Sequence, residues 1–253
     1  MNAKYFSINE DKLSIRCKLY ENKGEALRRL ILFGHGFGGH KDNRACEHFA
    51  ERVLQKNRGA AVLVFDWPCH GEDARKVLRL EDCDLYLGHV LNYIQTTLRP
   101  ERLDGYGTSF GGFLFLKYIS EHGNPFEKLA LRCPAVTMAE SLTETILTAE
   151  ETEKLLKGKK VQAGFDRKVE IDLAYLESLR EHDVRKMEFI DDAENILIVQ
   201  GTKDEIIPPA AVRAFADDNL IEYVSVENAD HRFMDPKKMD EAVSHIIKFL
   251  DLR

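Results

Sequence analysis

The chain has 253 residues and a formal charge of −7, with a pI near 5.8, a balance that argues against the basic face of a nucleic-acid binder. Its apolar fraction of 44% beside 31% charged residues suits a folded globular chain, and a chain this long needs neither a disulfide nor a structural metal to hold its core. Residues 1–7 lack the apolar stretch of a secretory signal, no run of 18 apolar residues offers a membrane span, and the five scattered cysteines show no Cys-x-x-Cys spacing, so a cytoplasmic protein with reduced thiols and no membrane partner is expected.

In chain order, residues 13–20 alternate, with Leu13, Ile15, Cys17 and Leu19 on one face, which predicts a half-buried strand. The apolar run 29–33 stops at Gly34 and reads as a buried strand. Residues 42–57 have helical spacing and end before Gly59. A second buried strand is expected over 60–65, a helix over 80–98 ending at Pro100, a weaker strand over 102–106, a helix over 110–121 and a short strand over 128–132. After a break, a strand over 195–200, a helix over 208–217, a strand over 221–226 and a helix over 236–252 resume the rhythm. Such alternation predicts an α/β fold with a mainly parallel sheet covered on both faces. The charged stretch 135–188 breaks the pattern. It shows no convincing strand, contains expected helices over 142–156 and 173–180, and reads as an insertion over the sheet edge between two parts of a core, 1–134 and 189–253.

Gly107-Thr108-Ser109-Phe110-Gly111 matches Gly-x-Ser-x-Gly and stands between an expected strand and helix, where a nucleophile elbow belongs. A serine hydroxyl needs a base. Of nine histidines, His231 alone falls between the last strand and the last helix, at the carboxyl edge of the sheet. His48, His89 and His245 lie inside expected helices. The histidine in turn needs a carboxylate to set its tautomer, and Asp204 follows the strand ending at Gln200, with Glu205 as its nearest competitor. The loop Gly34-His35-Gly36-Phe37-Gly38-Gly39-His40 lacks a P-loop ending and the Gly-x-Gly-x-x-Gly spacing. It is suited instead to bring backbone amides to a substrate carbonyl, with the N–H groups of Phe37 and Phe110 as oxyanion donors and Gly36 and Gly38 beside the substrate. No His-Glu-x-x-His spacing occurs, so no metal and no cofactor are expected.

These segments, with Asp66-Trp67-Pro68-Cys69-His70-Gly71 and Ala229-Asp230-His231, resemble the α/β-hydrolase family, most closely its small bacterial carboxylesterases of the cinnamoyl or feruloyl esterase type. The resemblance implies an eight-stranded type of sheet, a helical cap at 135–188 entered through Arg132-Cys133-Pro134-Ala135, and metal-free hydrolysis of a small-molecule ester. Phe165 and Tyr175 of the cap are candidates to line the acyl pocket. Peptide, amide or thioester cleavage by the same residues, and a non-catalytic binding role on the same fold, are the competing readings. The oligomeric state stays open between a monomer and a homodimer.

Overall fold

The computed structural model describes residues 1–10, 13–73, 77–165 and 167–252. Among the described residues, ten strands run in chain order as β1 (Asn2–Glu10), β2 (Leu13–Glu21), β3 (Arg29–Gly34), β4 (Ala60–Phe65), β5 (Arg102–Thr108), β6 (Leu129–Arg132), β7 (Val161–Ala163), β8 (Val169–Ile171), β9 (Ile196–Gly201) and β10 (Glu222–Val226). The helices are α1 (Arg44–Lys56), α2 (Leu80–Tyr93), α3 (Phe110–His122), α4 (Met138–Ser141), α5 (Ala149–Leu156), α6 (Leu173–Glu181), α7 (Pro209–Asp218) and α8 (Pro236–Phe249).

Eight strands form one sheet in the order β1-β2-β4-β3-β5-β6-β9-β10. The edge pairs β1/β2 and β2/β4 are antiparallel, and every pair from β4 to β10 is parallel. Strands β3, β4, β6 and β9 are buried almost throughout because helices cover both faces, which is why their sequences are continuous apolar runs. Leaving β3, the chain crosses to β4 on one side and returns to β5 on the other. Strand order therefore reverses at β3, and the loops after β3 and β5 meet at the carboxyl edge, where Gly34 is the register partner of Gly107.

Helices α1 and α8 pack on one face against Ile31, Val62, Tyr106 and Val199. The other face holds Leu30, Leu63, Leu131 and Ile198 beneath side chains of α2, α3 and α7. Residues of the 135–188 segment also join this second core: Leu142, Leu155, Tyr175, Leu176 and Leu179 are buried in the same cluster. The segment also contains the antiparallel pair β7/β8, a feature too short to leave a strand pattern in the sequence. Its expected 142–156 helix is broken into a π-turn (Leu142–Ile146) and α5, and α2 likewise ends in a π-turn (Ile94–Leu98). Among the described residues, no helix is long and apolar enough to cross a membrane.

Candidate active site

Ser109 sits between β5 and α3 with φ 50° and ψ −116°. That backbone is strained for a residue with a Cβ, on the order of 1–3 kcal/mol, and it persists because the residue's own backbone groups are held on both sides. Its N–H donates to the Arg132 carbonyl at 3.0 Å, and its own carbonyl accepts from Phe113 and Ala135. The flanking glycines are required by space. A Cβ on Gly111 would lie 2.3 Å from the Gly34 oxygen, and one on Gly107 would lie 2.7 Å from the Gly112 Cα. These contacts let α3 start against β3.

His231 stands in the loop between β10 and α8. Its Nε2 is 3.0 Å from the Ser109 hydroxyl and its Nδ1 is 2.8 Å from Asp204 Oδ2. Asp204, in the loop after β9, accepts from the Ile206 and Ile207 amides on Oδ1 at 2.9 and 2.8 Å, and from Gln200 Nε2 on Oδ2 at 2.8 Å. Burial pushes its carboxyl up, but the His231 contact, the Ile207 amide and the Cys133 thiol outweigh this and hold it below the usual carboxylate range. Ser109, His231 and Asp204, far apart in sequence, thus form one hydrogen-bonded line. Glu205 lies outside it, with its carboxylate 3.4 Å from the His231 backbone amide.

Two partners of Asp204 were not foreseen. Gln200 is a fully buried polar residue closing the apolar run of β9, and that misfit was a legible signal. Cys133 carried none. Its thiol lies within 4.8 Å of both Asp204 and His231 ligand atoms, and burial, then the Asp204 charge, push it well up, so it stays a neutral thiol. This Cys133-Asp204-His231 cluster has a metal-like composition, yet its atoms are engaged by the hydrogen bonds just described.

The loop after β3 is clamped from below. The Trp67 indole donates to the His35 carbonyl at 3.1 Å, and the Lys41 amide donates to Asp66 at 2.7 Å. The Phe37 ring meets those of His70 and Phe110 edge-on, each at 5.5 Å. His35 and His70 are buried and neutral: burial holds the former well below the ordinary imidazole range and lowers the latter to about 4. A Cβ on Gly36 would lie 3.4 Å from the Ser109 Cβ, so this loop passes directly by the hydroxyl. Gly38 (φ 72°) faces the Arg167 carbonyl, which a Cβ there would approach to 2.9 Å, so the inserted segment closes onto the loop.

A cavity of about 420 Å³ opens above Ser109 and His231, and Gly36, Phe37, Gly38 and Phe165 line it. Tyr175 does not. It is buried in the core at 1% exposure, because α6 turns that face inward against α2 rather than toward the cavity. Arg44, Arg132, Arg167 and Arg232 also line the cavity, and the sequence offered no spacing that would gather them.

An elbow serine at the switch point of this sheet, in line with a histidine and a buried carboxylate, defines a serine hydrolase of the α/β-hydrolase class. More particularly, residues 53–252 match the prolyl oligopeptidase family (Peptidase_S9), and the chain belongs to it. No curated protein matches the chain in sequence. Among solved structures it is similar to Est1E from Butyrivibrio proteoclasticus with ferulic acid bound (18% identity, 97% of this chain and 99% of that one, TM-score 0.77). It is also similar to mouse alpha/beta hydrolase domain-containing protein 10 (16%, 99% and 99%, TM-score 0.72). A third likeness is to an α/β serine hydrolase without a lid from Xanthomonas campestris (14%, 99% and 94%, TM-score 0.65). At these identities the likeness is one of fold.

Proposed function

We propose that this hydrolase is a carboxylesterase acting on esters of small acids through an acyl-enzyme on Ser109. The observation that carries the reading is the 3.0 Å approach of His231 Nε2 to the Ser109 hydroxyl, with Asp204 at 2.8 Å on the opposite ring nitrogen. The Ser109 oxygen bonds to the ester carbon as His231 takes its proton, and Asp204 holds the ring and offsets the imidazolium charge. The Phe37 and Phe110 amides receive the oxyanion. Phe110 is the first residue of α3, so its N–H has no acceptor within the helix. His231 then delivers the proton to the departing alcohol, and water repeats the sequence on the acyl-enzyme.

The cavity of about 420 Å³ and the whole-chain likeness to a protein that holds ferulic acid support a compact ester. Membership of the prolyl oligopeptidase family supports peptide-bond cleavage by the same residues as the second reading. A fluorophosphonate probe should label the wild type and leave Ser109→Ala unlabelled; equal labelling of both would overturn the assignment. A panel of p-nitrophenyl esters, acyl thioesters and aminoacyl amides separates the two readings, and turnover of amides at rates matching esters would favour the second.

A further inference from the structure

The chain is acidic, at −7 overall, but its cavity is not. Four arginines and His40 line it, against one carboxylate outside the Ser109 line, Asp42, which already meets Lys18 at 2.9 Å and Lys41 at 3.4 Å. Arg132 ends β6 as the register partner of Thr108, and both line the cavity next to Ser109. The first residues of the thirteen-residue helix α1, Arg44 and Ala45, line the cavity too, with their cap Asn43, whose side-chain oxygen accepts from the Ala45 and Cys46 amides. Apolar side chains of Phe37, Ile146, Phe165 and Ile206 also line the cavity, and Arg232 stacks on Phe165 at 5.4 Å.

Arg132 is the unusual member. It is 7% exposed, and among the described residues it makes no ion pair. Its Nη1 meets only the Met239 sulfur at 3.2 Å, its guanidinium lies 5.1 Å from the Phe233 ring, and its buried Nε has no acceptor. A buried guanidinium without an anion is costly unless something supplies the charge. The exposed Arg44 and Arg167 likewise have no ion-pair partner among the described residues.

We infer that the ester taken by this site carries a carboxylate, received by Arg132 and Arg44 while the ester carbonyl lies at Ser109. This rests on the esterase reading and narrows its substrate class. Methyl hydrogen adipate against methyl hexanoate places the charge on the acyl side, and 5-acetoxypentanoate against pentyl acetate places it on the alcohol side. In one of the pairs the charged ester should have a kcat/KM higher by about tenfold or more at low salt, as for a charge-assisted contact, and the advantage should shrink as salt rises. Arg132→Met should bring that ratio near unity by raising KM for the charged ester; Arg44→Ala, on an exposed position, does so in part if the first variant fails to fold. No preference in either pair, or a ratio unmoved in both variants, overturns the inference. Calorimetry of adipate with Ser109→Ala reads the anion site without turnover: absent binding counts against the site alone, whereas failed fluorophosphonate labelling counts against the esterase reading.

Discussion

Replacing Asp204 by Asn removes one charge and almost no volume, and its consequence follows from counting donors. The native carboxylate accepts from Ile206 N and Ile207 N on one oxygen, and from Gln200 Nε2 and His231 Nδ1 on the other. All four, like the Cys133 thiol beside them, are donors when His231 Nε2 is free to act as base. An amide has one oxygen. If that oxygen serves the two backbone amides, its NH₂ faces His231 Nδ1, and the imidazole must shift its proton to Nε2, where it donates to Ser109 and is no longer a base. If the oxygen serves His231, two buried N–H groups face an NH₂ and lose their acceptor, at about 1–3 kcal/mol each. Loss of the correct tautomer lowers kcat by about 10⁴-fold where it has been isolated in a protease, and a fall of about 10³–10⁴-fold in kcat with little change in KM is expected here. Initial rates on p-nitrophenyl butyrate, the rate of fluorophosphonate labelling and a thermal melt on the same preparation check it. A variant that melts like the wild type and keeps its activity within about tenfold would refute the reasoning.

The remaining predictions concern the supports of the site. His70 donates from Nδ1 to the Pro68 carbonyl at 2.8 Å, its Nε2 has no partner, and burial lowers it from an ordinary 6.5 to about 4. Below pH 6.5 the unfolded chain therefore binds a proton that the folded chain refuses. Wild-type stability should fall between pH 6.5 and 4 by about 3 kcal/mol more than that of His70→Asn, measured by denaturant unfolding; parallel pH profiles would contradict this. Gly111→Ala drives a Cβ to 2.3 Å from the Gly34 oxygen, and backbone must move. A loss of about 1–3 kcal/mol in stability, with slower labelling of Ser109, should appear by melting and probe kinetics, and unchanged values in both would count against the packing argument. Arg79 forks onto Asp172 at 2.8 Å on one arm, and Asp172 also caps α6 through the Tyr175 amide. Arg79→Ala should speed limited proteolysis within residues 135–188 more than elsewhere; cleavage at an unaltered rate would show that apolar packing alone holds the segment.

Much of this molecule could be read without coordinates because its signals are local. Continuous apolar runs mark β3, β4 and β9 since both of their faces are covered. Strand β1 went unread because its sole fully buried residue is Ile8, so an edge strand of this kind carries little pattern. The π-turns after α2 and before α5 escaped because a five-residue widening leaves the apolar spacing of a helix nearly intact. Strands β7 and β8, three residues each, hold too few positions for a period of two to register.

By itself the amino-acid order established the α/β alternation, the elbow around Ser109 and the loops that carry Asp204 and His231. Those depend on short-range sterics, turn chemistry and the rule that parallel strands deliver their loops to one edge. Only the tertiary structure decided which way long side chains point: that Tyr175 turns into the core, that Gln200 and Cys133 join Asp204, and that Arg44, Arg132, Arg167 and Arg232 share one cavity. The reason is that such encounters arise from packing between segments far apart in the chain, for which no local periodicity leaves a trace.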